Sequence, residues 1–546
     1  MMAQEVQAPT EPVKKPRLLD DRHRLAGDKI KRNAIFNVLR IVIYAPIPLL
    51  LTPYIIHHIG AHAFGIWAVL YAMANLTSLA DFGLVGTLSK HVAEYWAKRD
   101  FDRLNRLINT GFVLFGTIAI LASVALALLQ KPIFALVFRQ AHTLGPQLIY
   151  SYYLLIGVVA FNILSFPLSS IASGLQRMDL TSILSSANVG SAAILSFVFL
   201  HAGYGLTGLM AATLVGSMIS FTANLLLVPH LVPTLKINLR NSSLGETRGL
   251  LAFSSQLYVV QMAVAIQNNI EKLLLSRMAG ALFAGWYEIA SDFSVKVRSA
   301  PGLLLTPLLA AASDLNAHTD EARLAKLYQR AHKYLAMIGI PMVVWAIAVA
   351  PVFVFLWLGP AFSSVVLPIR VLVPVQFLNL ATGPGTLILF GKGHVRPITR
   401  IASIGLVFNL VASGLLIWRL GFAGAFIGTT LAIAFSSVWS FLVFHRYTGY
   451  PCWSTIQKAY FKPILCSTLL AVSISLLFPP GAKWFSLVFR TVIFGVLYLV
   501  ALVFSRFFDS FDVDQIPGHI RHSALGKILL GSITSQPERL GLERSA

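Results

Sequence analysis

Apolar runs of about 18 residues or more, the length a helix needs to cross the hydrocarbon core of a bilayer, recur from about residue 34 to about residue 505. In lipid a spanning segment must satisfy its own backbone N–H and C=O groups, so runs of this length imply an all-α, polytopic membrane protein. Composition points the same way. Of 546 residues 56% are hydrophobic and only 12% charged, with a mean hydropathy of +0.73. A soluble chain of this length is far less apolar. Windows of spanning length give about fourteen spans: 34–57, 64–82, 107–129, 147–172, 180–201, 206–230, 249–275, 282–299, 334–357, 365–390, 397–418, 421–445, 460–479 and 485–505.

The net charge of +21 is concentrated in short connections and in the basic segment 1–32, not along one continuous basic helix, so it reads as membrane topology and no nucleic-acid partner is expected. Lys90, Lys98, Arg99, Arg103 and Arg106 follow the second span, Lys236, Arg240 and Arg248 the sixth, and Lys392, Arg396 and Arg400 the tenth. Alternate connections, such as Ile59-Gly60-Ala61 and Gly359-Pro360-Ala361, carry no Lys or Arg. Because short basic loops resist translocation, both termini are expected in the cytoplasm of a multi-pass inner-membrane protein. Residues 1–32 lack a cleavable apolar leader and read as a disordered tail. Cys452 and Cys466 have no metal or redox spacing, and no disulfide is expected between them.

Compared with itself, the chain repeats. Gly60-Ala61-His62-Ala63-Phe64-Gly65-Ile66-Trp67 resembles Gly280-Ala281-Leu282-Phe283-Ala284-Gly285-Trp286-Tyr287; Pro167 and Gly174 align with Pro384 and Gly391; Gly205, Gly208 and Thr213 align with Gly421, Gly424 and Thr429. The offsets are 220, 217 and 216 residues. Six spans make an even number of crossings, so two copies insert in the same sense, related by a pseudo-twofold along the membrane normal. The expected organisation is a tail (1–32), an N-terminal six-helix lobe (33–231), a linker (232–248), a C-terminal six-helix lobe (249–446), two extra helices (447–506) and a cytoplasmic tail (507–546).

Asn37-Val38-Leu39-Arg40, Pro53-Tyr54-Ile55-Ile56, Phe64-Gly65-Ile66-Trp67 and Asp81-Phe82-Gly83-Leu84 together resemble the polysaccharide transporter family of the multidrug/oligosaccharidyl-lipid/polysaccharide exporter superfamily. The resemblance covers roughly residues 30–506 and implies two six-span lobes plus two helices. It also implies an activity: flipping an undecaprenyl-pyrophosphate-linked oligosaccharide, as in O-antigen and lipopolysaccharide assembly, from the cytoplasmic to the outer leaflet. A polysaccharide polymerase or glycosyltransferases would then be its partners.

Ionisable groups inside spans cost about 2.5–3.5 kcal/mol each on insertion scales and therefore face a cavity or a partner. Arg40, Lys296, Arg298 and Arg370 are candidates for a cationic cavity, since guanidinium forks suit a pyrophosphate shielded from water. Lys296 and Arg298 can equally snorkel to head groups, and Arg40 and Arg370 can pair structurally. Asp81, Glu271 and Asp292 are candidates for ion coupling, against a capping role for Asp81 and simple neutralisation of Lys296 by Asp292 one turn away. Gln256, Gln261, Gln267, Asn268 and Asn269 offer amides either to sugar hydroxyls or to neighbouring helices. Neither a phosphate-cradling Walker loop nor a zinc-binding His pair occurs, and no cofactor is expected. Two other functions fit the same residues: a cation-coupled exporter of drugs or metabolites, and a membrane glycosyltransferase or polymerase. The superfamily's drug exporters usually have twelve spans, and the enzymes need catalytic groups on a substantial outer loop, whereas no outer loop here exceeds about 17 residues.

Overall fold

A computed structural model describes residues 46–139, 145–233, 235, 238, 255–318, 320–450, 452–478, 481, 483–509 and 511–512. The expected tail at 1–32, Arg40 and nearly all of the linker expected at 232–248 lie outside the described residues. Every regular element among those described is helical. A first group comprises α1 (Pro46–Asn75), α2 (Leu84–Lys98), α3 (Phe101–Leu128), α4 (Gln130–Val137), α5 (Pro146–Gly174), α6 (Met178–His201) and α7 (Gly205–Leu231). The second comprises α8 (Ser255–Gln267), α9 (Ile270–Met278), α10 (Ala281–Gly302), α11 (Leu308–Ala317), α12 (Glu321–Leu358), α13 (Val366–Ala381), α14 (Gly383–Gly391), α15 (Val395–Leu420) and α16 (Phe422–Thr448). Two more, α17 (Cys452–Leu477) and α18 (Trp484–Phe504), lie outside both groups and pack on α12.

The sequence repeat has a structural counterpart. Gly60 breaks α1 with φ 79° and ψ 162°, and Gly280 precedes α10 with φ 119° and ψ 157°. That region is essentially closed to residues with a Cβ. Asp100 caps α3 by accepting from Arg103 N at 3.1 Å, and Asp320, 220 residues on, caps α12 by accepting from Arg323 N at 3.0 Å. A Cβ on Gly174 would stand 2.6 Å from the Ser89 carbonyl of α2, and one on Gly391 would stand 3.1 Å from Ala312 of α11. Each group thus seats a neighbouring helix against the glycine that ends a helix, Gly174 of α5 in the first and Gly391 of α14 in the second, as small residues permit.

The groups meet where α1 packs along α10. At the crossing a Cβ on Gly65 would fall 2.0 Å from the Ala281 carbonyl, and one on Gly285 would fall 2.9 Å from Gly65 Cα. These glycines are equivalent positions of the repeat, so the contact is self-complementary, as a twofold axis requires.

Among the described residues, eleven helices are long and apolar enough to cross a membrane by length and composition. Three of the fourteen expected spans do not form separate helices of this kind among the described residues. The first two run on as one across Gly60; the seventh, partly outside the described residues, is broken at Asn268 and Asn269 into α8 and α9; the eighth, α10, carries Glu288, Asp292, Lys296 and Arg298. Exposed side chains such as Ile120, Leu121 and Leu128 on α3 give the bundle an apolar exterior.

Candidate functional site

Along α10, Asp292 and Lys296 lie seven and eleven residues beyond Gly285, close to two and three turns, and so share the face that meets α1. Lys296 Nζ pairs with Asp292. Glu288, one turn earlier, receives Lys272 Nζ of α9 at 2.6 Å, both side chains being largely buried. The two pairs balance in charge. This face is therefore polar but neutral, and the cation expected at Lys296 is matched by a carboxylate.

Arg298 points to another side of α10. Its Nη1 donates to Gln376 Oε1 and Asn379 Oδ1 of α13, each at 3.1 Å, and no carboxylate lies within ionic reach among the described residues. Two amide oxygens orient the guanidinium without cancelling its charge. Arg370, at the start of α13, is exposed, with Nε donating to the Ile347 carbonyl at 3.1 Å. The structure thus does not gather Lys296, Arg298 and Arg370 at one point, and Arg40 falls outside the described residues.

Asp81 Oδ1 accepts the backbone N–H of Val85 at 2.7 Å, capping the first turn of α2. Glu271, in contrast, is fully buried at the start of α9. Its Oε1 accepts from Asn409 Nδ2 at 2.9 Å, Thr429 Oγ1 at 3.1 Å and Ser413 Oγ at 3.4 Å, from α15 and α16. Its Oε2 and Asn409 Oδ1 are buried with no hydrogen-bond partner. Tyr287 OH closes the cluster on Thr429 Oγ1 at 2.8 Å.

Of the five amides expected to meet sugars or neighbouring helices, the Gln256 side chain lies outside those described, and Asn269 is committed internally, donating to the Ala265 carbonyl at 2.9 Å and accepting from Lys272 Nζ at 3.4 Å. Gln261 and Asn268 are exposed, and Gln267 is half-buried. Sequence reasoning missed a richer set. A cavity of about 320 Å³ in the first group is lined by Asn75, Asn162, Ser169, Asn188 and Asn224 among other hydroxyl and amide groups, and no charged side chain lines it. Each of these residues is ordinary alone; only the packing of α1, α5, α6 and α7 brings them together. The described residues contain no cluster of His, Cys, Asp and Glu fit to hold a metal.

Among known proteins, the probable flippase AglR of Haloferax volcanii is 22% identical over 395 residues, covering 71% of this chain and 78% of its own length. The lipid II flippase MurJ in an inward closed conformation superposes with a TM-score of 0.67 at 13% identity, over 88% of this chain and 99% of MurJ. An inward-facing multidrug resistance MATE family transporter of the MOP superfamily gives 0.63 at 15% identity, over 76% of this chain and 98% of its own. These likenesses show a shared fold. The sequence pattern of one family matches residues 30–313, more than half of the chain. On that match the chain belongs to the family described as polysaccharide biosynthesis protein.

Proposed function

We propose that the protein flips a lipid-linked oligosaccharide of the undecaprenyl-pyrophosphate type from the cytoplasmic to the outer leaflet, by alternating access between its two helix groups. The observation that carries this reading is the seam itself: α10, which packs along α1 of the other group, bears a polar, ionic face deep in an apolar bundle. Such a face is costly unless it lines a path for a polar cargo. The family membership and the flippase names of AglR and MurJ support the same cargo class.

In this reading Arg298, Lys296, Arg370 and Arg40 attract the pyrophosphate, with Lys296 exchanging Asp292 for substrate oxygens. The uncharged cavity of the first group supplies hydroxyl and amide partners for sugar rings. Glu271 is the coupling group. A buried carboxylate with one unpartnered oxygen beside an unpartnered amide oxygen is stabilised by taking up a proton or a small cation. Asp81 is occupied as a cap and Asp292 is neutralised by Lys296, so neither has the same need.

The test is outer-leaflet exposure of the lipid-linked glycan in cells carrying Arg298→Ala, Arg370→Ala or Arg40→Ala at normal protein levels. Export should fall while precursor accumulates on the inner side. Unchanged export in all three removes the cationic path, and efflux of cationic dyes from proteoliposomes without glycan movement assigns the protein to drug export instead.

A further inference from the structure

The two helices outside the repeat build a second site. A cleft of about 750 Å³ opens at the Lys/Arg-rich end of the bundle between the first turns of α12, the first turns of α17 and the segment after α18. Lys326, Arg330 and Lys333 enter it from α12 at spacings of four and three, hence from one face; Lys458 and Lys462, four apart, enter from α17, and Arg506 follows α18. Two cationic stripes therefore confront each other. The opposing charge is small and locally committed: Asp509 and Asp512 both pair with Lys333. Arg330 stacks over the Phe511 ring at 3.3 Å, and Lys462 Nζ donates to the Arg506 carbonyl at 2.8 Å. Lys326, Lys458 and Arg506 have no carboxylate in ionic reach among the described residues.

The depth of the cleft identifies what it would take. Phe461, 60% exposed, lies on its rim, and the exposed Ile464, Leu465 and Leu469 continue down α17. One turn therefore separates ammonium groups with no carboxylate partner among the described residues from the surface that acyl chains must cover. A soluble anion would use only the upper half of this arrangement, whereas a phospholipid uses both. Basic pockets between spanning helices are a recognised way of holding acidic head groups.

We propose that this cleft binds the phosphodiester head group of an anionic phospholipid, with its acyl chains along α17. The site is distinct from the seam between the two groups and does not depend on the cargo proposed for that seam. Each cation facing an anionic head group is worth about fivefold in affinity, so removing three should weaken binding on the order of a hundredfold.

The full-length protein in nanodiscs of phosphatidylcholine with a minor fraction of phosphatidylglycerol, released and weighed by native mass spectrometry, provides the test. Wild type should retain phosphatidylglycerol in preference to phosphatidylcholine, the triple variant Lys326→Ala/Lys458→Ala/Arg506→Ala should lose that preference, and Lys458→Arg should keep it. The wild-type comparison of the two lipids stands even where the triple variant does not fold. Equal retention of the two lipids by wild type, an unchanged preference in a monodisperse triple variant, or inorganic phosphate binding as tightly as the lipid would each overturn the proposal.

Discussion

Glu271 and the helix caps Asp100 and Asp320 show how differently single carboxylates act in one chain. The Glu271 side chain has no exposed surface, and its three hydrogen bonds all end on one oxygen. Glu271→Gln keeps the shape and an acceptor at Oε1 while removing a charge whose burial is costly, and its amide can donate where Glu271 Oε2 and Asn409 Oδ1 now lack partners. The variant should unfold in detergent at the wild-type temperature or above it, yet lose at least about tenfold in gradient-driven flipping, a difference of about 1.4 kcal/mol in the coupled step. Wild-type flipping in Glu271→Gln proteoliposomes would falsify the coupling role. Asp100 and Asp320 lie at helix starts outside the apolar runs, and Asp100→Ala or Asp320→Ala should each cost about 1 kcal/mol of stability, read as a lower melting temperature with flipping intact. Charge inside a span is visible in a sequence, which is why Glu271, Asp292, Lys296 and Arg298 stood out. The charge of Glu288 is equally visible in the same span, but its neutralisation is not, because the pairing with Lys272 exists only once α9 and α10 are packed together.

At the scale of elements, glycine is what the repeat preserves, and the reason is backbone proximity. Gly65 and Gly285 let α1 and α10 cross with almost nothing between them. A side chain at Gly65 would meet the Ala281 carbonyl, which cannot rotate away, so Gly65→Val must force the helices apart where the two groups cross. The variant should lose both thermal stability and flipping. Gly116 on α3 has nothing within 4 Å of the point where a Cβ would stand, so Gly116→Ala should leave flipping unchanged and gain up to about 1 kcal/mol of helix propensity, measured as a raised melting temperature. The helix class, the doubled lobe and the two extra helices were legible because apolar length and glycine spacing are local signals. The break at Asn268 and Asn269 and the neutral cavity of α1, α5, α6 and α7 were not, since amides suit a helix interface and a polar cavity equally and only the tertiary contacts distinguish them.

For the whole molecule, the two groups touch at more places than their glycine crossing. Tyr258 OH of α8 donates to the Leu79 carbonyl at 2.7 Å, and its ring lies 5.6 Å from that of Phe82, in the turn that leads from α1 to α2. Near the opposite end, Trp357 Nε1 of α12 donates to the Leu49 carbonyl of α1 at 2.6 Å. Alternating access by rocking requires that contacts at the two ends cannot both persist through a cycle. Tyr258 and Phe82 are joined by one hydrogen bond and one tilted ring pair, a contact of a few kcal/mol at most, which is small enough for a bound cargo to break. The chain should therefore be trapped by tying these residues together. With Cys452 and Cys466 replaced by Ser, Phe82→Cys/Tyr258→Cys treated with a short, reducible bis-thiol reagent should stop flipping of the lipid-linked glycan in proteoliposomes, and cleaving the tether should restore it. Undiminished flipping by the tethered protein would mean that this end never opens, and that cargo enters by a lateral route between α1 and α10 rather than by separation of the groups.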